Sequence, residues 1–116
     1  MKKFLAVFLG SAEAMQKYMA QDEAVRKASD KKGMEAWMKW ADDNRSSIVD
    51  MGSPLGKTKK VDKSGVADIC NEMGAWCVVE AASHEDAAKM FTNHPHFTVF
   101  PGERVEVMEM LPIPQM

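Results

Sequence analysis

The run Phe4-Leu5-Ala6-Val7-Phe8-Leu9 is apolar at every position, without the alternation of a half-exposed strand. Such a run predicts a central strand covered on both faces. Gly10 and Ser11 end it, and Ser11 can cap a following helix. Residues 12–32 read as one or two short helices, with Ala12, Met15, Tyr18 and Met19 on one face and Val25 extending it. The later, mostly polar part of this stretch reads as solvated, and Gly33 as its break. Residues 34–48 show the clearest helical period: Met34, Trp37, Met38, Ala41 and Ile48 share a face, with Trp40 at its margin.

A short strand is expected at 49–51, interrupted by Gly52-Ser53-Pro54-Leu55-Gly56, whose two glycines and proline mark a bend or bulge. Residues 57–62 resume as an exposed strand, Lys63-Ser64-Gly65 is a turn, 66–69 pair back, and 71–74 are loop. The run AWCVVEA at 75–81 is the next strand. Ser83-His84-Glu85-Asp86 carries a hydroxyl followed three residues later by a carboxylate, which starts a helix running to about Asn93. Pro95 turns His94 out of the helical region. Residues 104–110 form the last strand, with Val105 and Val107 on one face and Met108 and Met110 on the other. The tail, 111–116, begins Leu-Pro-Ile-Pro and cannot continue as a central strand.

The order strand, helix, strand, strand, helix, strand predicts one α+β domain over 1–116, with 11–33 as a helical lead-in. The expected architecture is ferredoxin-like, a four-stranded antiparallel sheet with helices on one face. Two helices cover only one face of strands that are apolar on both. The expected partner is therefore a second copy, sheet packed on sheet in a homodimer.

Composition narrows the function classes. The chain has 116 residues, a formal charge of −2 and 28% charged residues, an ordinary globular balance. Its one basic stretch, Lys57, Lys59, Lys60 and Lys63, reads as a solvated strand edge, so no nucleic acid is expected as partner. No apolar run approaches a membrane span. The start, Met1-Lys2-Lys3 before the apolar run, has the outline of a secretory signal. The strand reading is preferred because losing this segment would strip the sheet of its central member. Cys70 and Cys77 match neither a redox pair nor a zinc pattern, and nothing asks for an oxidising compartment, so a cytoplasmic location is expected.

Three segments taken in order carry a family likeness. They are Val49-Asp50-Met51-Gly52-Ser53-Pro54-Leu55-Gly56, then Trp76-Cys77-Val78-Val79-Glu80-Ala81-Ala82-Ser83, then Pro95-His96-Phe97 ahead of Val105-Glu106-Val107. In this order and spacing, over about residues 34–112, the chain resembles the YCII-related family. The resemblance implies a dimeric α+β barrel of ferredoxin-like topology, and a histidine and an aspartate near a cleft. His96 matches the histidine position and Asp50 the acidic position before the bend. The chain lacks the Asp-Gly-Pro-Phe motif of one large branch, and it has no histidine before His84.

These residues define the candidate site. His96 is the candidate general acid or base and Asp50 the group that would orient it. His94, Trp40 and Ser53 are candidate ligand contacts. Each also has a structural reading: helix-end histidines, a turn-forming Asp50 and Ser53, and a tryptophan seeking a partner for its N–H. His94 and His96 alone do not make a metal site, and no metal or other cofactor is expected. One function that fits is a small enzyme acting on a small organic acid or aromatic ring. The other is a non-catalytic ligand-binding or protein-interaction module. Haem or quinone monooxygenation, seen on related barrels, would call on Asn44, Trp40 and His96, and their spacing does not support it.

Overall fold

A computed structural model describes residues 1–114, so the last two residues of the expected tail lie outside the described residues. Strands β1 (Lys2–Leu9), β2 (Ile48–Pro54), β5 (Met73–Ala81) and β6 (Arg104–Glu109) form one sheet in the order β2-β5-β1-β6, every pair antiparallel. Strands β3 (Thr58–Asp62) and β4 (Gly65–Ile69) form a separate two-stranded hairpin. The helices are α1 (Ala12–Met19), α2 (Glu23–Asp43), α3 (His84–Lys89) and α4 (Pro95–Thr98), with a 3-10 turn at Arg45–Ser47. With the hairpin set aside, this is the ferredoxin-like α+β arrangement that the element order predicts.

The apolar run at the N-terminus is a central strand, paired on both sides by β5 and β6. Alternation splits it between two faces. Phe4, Ala6 and Phe8 join Cys77, Val79, Ala81, Ala87 and Phe91 in the core, and Trp37, Trp40, Val105 and Val107 pack against that cluster. Leu5, Val7 and Leu9 point the other way; Leu5 is in register with Val78 and Met108, Val7 with Trp76, and Leu9 with Met73. The Cα envelope is only 18 Å in its shortest dimension, enough for a sheet and one helical layer about 10 Å away.

Three helical expectations need correction. The helix expected to reach residue 48 ends at Asp43, and Ile48 opens β2 instead of sharing its face. Gly33 does not break a helix; it is buried in the middle of α2, which runs unbroken from Glu23 to Asp43. A Cβ at this position would collide with the Phe100 ring, so the glycine lets Phe100 rest on the helix backbone. That contact outweighs the ~1 kcal/mol by which glycine disfavours a helix. The expected apolar face of α1 is also not a core face, since the helix has no buried residue and Met15 and Met19 are about half exposed. Tyr18 instead hydrogen-bonds Asp30 of α2, and burial followed by that carboxylate raises its pKa to about 12.

The other departures are local. Strand β2 continues through Gly52 to Pro54; one register shift, between Asp50 and Ser53, falls at the expected bend, and a second, between Ile48 and Asp50, precedes it. Gly52 has φ +66°, and a Cβ there would strike the Trp76 carbonyl, so glycine is required. Strand β5 starts earlier than expected, at Met73. Helix α3 begins on its Ser83 cap, whose hydroxyl accepts from the Asp86 N–H at 3.0 Å, but it ends at Lys89 rather than near Asn93. Asn93 takes the left-handed conformation, φ 56°, and the chain restarts as α4 on Pro95.

Candidate functional site

His94 and His96 meet where α2, α4 and the end of β1 come together. Proline at the first helical position sets this local geometry. His94, extended at φ −63°, ψ 143°, is the N-cap of α4, and its Nδ1 accepts from the His96 N–H at 3.0 Å. Its ring is fully buried among Phe8, Trp37, Trp40 and Phe91, with centroids 4.5–5.8 Å away. Because Nδ1 is the acceptor, the neutral ring carries its proton on Nε2, and that nitrogen is buried without a partner. Protonation would put a charge in an apolar box and break the cap together. Burial first, then the neighbouring His96, lower the pKa of His94 to about 3.

His96 is only partly buried. Its Nε2 lies 2.8 Å from the Leu9 carbonyl. A carbonyl only accepts, so Nε2 holds the proton and Nδ1 keeps the lone pair in the neutral ring. Burial lowers its pKa, and the Leu9 carbonyl, followed by the backbone at Arg104, pulls the other way. Gly102 packs directly on the ring, leaving no room for a side chain there. The imidazole thus ties α4 to the end of β1 and the start of β6.

The other candidate residues lie elsewhere. Asp50 is exposed, and its Oδ1 accepts from the Gly52 N–H at 2.8 Å, the turn-forming contact open to an aspartate before such a bend. It is in register with Val78, and so with Leu5, whereas His96 is bonded to Leu9. Four residues along the strand and two strands across put them about 13 Å and about 10 Å apart in the two directions. They also lie on opposite faces of the sheet. Within one chain, the structure does not bring Asp50 and His96 into one pocket. Ser53, exposed on β2 opposite Trp76, belongs to the Asp50 side. Trp40 lies on the His94 side, its Nε1 donating to the Met90 carbonyl at 2.8 Å. Asn44 donates to the Trp40 carbonyl and has no hydrogen bond to His96 among the described residues.

Two surface concavities are distinct from both groups. One, of about 500 Å³, is lined by His84, Glu85, Ala88, Lys89 and Thr92; the other, of about 290 Å³, by Met38, Ala41, Asp42, Arg45, Ile48 and Met51. Among the described residues, no cluster of three or more histidine, cysteine or acidic side chains is placed to hold a metal ion. Cys77 is buried, and burial, followed by Asp50, raises its thiol to about 12. No described helix is long and apolar enough to cross a membrane.

One polar cluster was missed from the sequence. Arg104 meets Glu106 at 2.6 Å and Glu72 and Glu103 at 3.3 Å each. The two-residue spacing of Arg104 and Glu106 on a strand was the available signal, because it puts both on one face. Glu72 joins from the bend just before β5, which no local pattern announces.

Fold and site together define a small ferredoxin-like α+β domain with a buried and a half-buried histidine at one end of its sheet. Among solved structures it is similar to 5-chloro-2-hydroxyhydroquinone dehydrochlorinase (TftG) from Burkholderia phenoliruptrix AC1100, in complex with 2,5-dihydroxybenzoquinone. The two share 15% identity and a TM-score of 0.56, over 94% of this chain and 93% of the other. At that identity the likeness is one of fold. No family profile matches the chain, and no curated protein matches it.

Proposed function

We propose that the protein is a homodimer that binds a small organic acid or phenol beside His96 and exchanges a proton with it through that imidazole. One observation carries this reading. His96 is half-buried and bonded through Nε2 to a backbone carbonyl, so Nδ1 is a neutral base at physiological pH. The Leu9 carbonyl orients the ring, the task first expected of Asp50, while His94 holds the His96 backbone N–H. The homodimer rests on the open sheet face and its apolar margin, where Met108 and Met110 are 43% and 46% exposed. Proton transfer at a single base is enough for an isomerisation or elimination.

A second reading, a non-catalytic binding module, is favoured by the separation of Asp50 from His96, which leaves the base without a carboxylate partner. The two readings part in a titration with 2,5-dihydroxybenzoquinone, followed by NMR and absorbance. Proton-transfer chemistry predicts ring-shift changes at His96 together with turnover, lost in His96→Gln, which can still donate to Leu9 but cannot titrate. Binding that persists in both proteins without turnover supports the module. Turnover undiminished in His96→Gln overturns the assignment.

A further inference from the structure

Among the described residues, the β3–β4 hairpin has no extensive partner in its own chain. It pairs with itself from Thr58↔Ile69 to Asp62↔Gly65 and makes no extensive contact with any other element. A lone two-stranded hairpin is marginal in water. One face of this one carries Val61 and Val66 side by side, 73% and 68% exposed. The radius of gyration, 16.1 Å against roughly 13 Å for a compact domain of this length, shows how far the chain departs from a sphere.

We propose that this hairpin is an arm that clasps a second copy of the chain, lying against the partner's β6 edge. The proposal rests on the homodimer reading and adds its geometry. Ser53, Trp76, Val7 and Glu106 are successive register partners and form one row across the sheet. The hairpin leaves just beyond that row, after Pro54 on the β2 edge. The carboxylate cluster around Arg104 lies at the same level on the β6 edge, three strands or about 14 Å away. When two such sheets pack on their open faces, a twofold axis parallel to the strands keeps the level and reverses the strand order. The partner's hairpin then stands opposite this chain's Glu72, Glu103 and Glu106.

Charge agrees with that axis. The hairpin segment, residues 57–69, has four lysines against two aspartates, a net +2. Three carboxylates share one guanidinium on the facing edge, a net −2. Within one chain the ion pairs of the hairpin are its own, Lys59 with Asp68 and Lys60 with Asp62. A twofold axis perpendicular to the strands would instead set the basic arms toward each other's β2 edges, away from the acidic cluster.

Sedimentation of the full chain at micromolar concentration tests this. The wild type is expected as a dimer. Lys57→Glu with Lys63→Glu, which leaves both hairpin ion pairs intact, should raise the dimer dissociation constant at least about tenfold. Adding Glu103→Lys and Glu106→Lys to that variant should restore it. A carbodiimide should join Lys57 or Lys63 to Glu103 or Glu106 in the dimer band of the wild type, whatever the folding of the variants. A dimer indifferent to the charge changes and lacking those cross-links overturns the arm and leaves the dimer standing. A wild-type monomer overturns both.

Discussion

The two faces of the one sheet show how differently neighbouring residues of a strand are used. On the covered face, Phe4 and Phe8 are sealed under α2, α3 and α4, and Phe8 alone touches Trp37, Phe91, His94 and His96. On the opposite face burial is uneven: Leu5, the neighbour of Phe4, is half-buried and Met108 on β6 is 43% exposed, while Val7 and Leu9 are buried. The covered face is finished within one chain and holds the histidines. The opposite face is filled only in part, at Val7, Leu9 and Val78.

The sharpest test of that contrast is a pair of truncations. Phe8→Ala should cost about 3–5 kcal/mol in urea unfolding, because it empties the floor under both histidine rings. Leu5→Ala should cost under about 2 kcal/mol at concentrations where the chain is monomeric. Equal losses would show that the open face is already filled.

A smaller effect comes from pH. His94 is neutral in the folded chain with a pKa of about 3, against about 6.5 when unfolded. Its contribution is complete above about pH 6.5 and is lost as pH falls toward 3, since only the unfolded chain takes up the proton in between. Each unit in that window should cost about 1.4 kcal/mol. His94→Asn keeps an acceptor for the His96 N–H and cannot titrate, so its stability should vary less between pH 6.5 and 4. An unchanged slope in that variant would place the acid sensitivity elsewhere. The smallest effect expected is Ser83→Ala, about 1 kcal/mol of thermal stability through loss of the α3 cap, with no change at the histidines. A shift of the His96 ring signals in that variant would mean the two ends of the covered face are coupled.

Elements marked by short-range chemistry were legible in the chain. The Ser83 cap, the turn at Lys63-Ser64-Gly65, the bend before Pro54 and the extended His94 ahead of Pro95 each depend on residues within four positions of one another, whereas the helix that restarts at Pro95 was not foreseen. The site was legible only in part. His94 and His96 could be picked out, but not that one ring would be sealed as a cap and the other half-open. Trp40 reads as a cleft residue from its place on the helical face, yet its N–H is taken by the Met90 carbonyl, far along the chain.

By itself, the sequence determined the strand and helix order, the central place of β1 and most turns, because side-chain period and local hydrogen bonding set these. Tertiary structure decided the rest. Gly33 became the middle of a helix because Phe100 needed to approach it, and Asp50 and His96 parted because strand register sends them to different rows and faces. Those outcomes depend on which distant side chains come to share a volume, and no local pattern of residues encodes that.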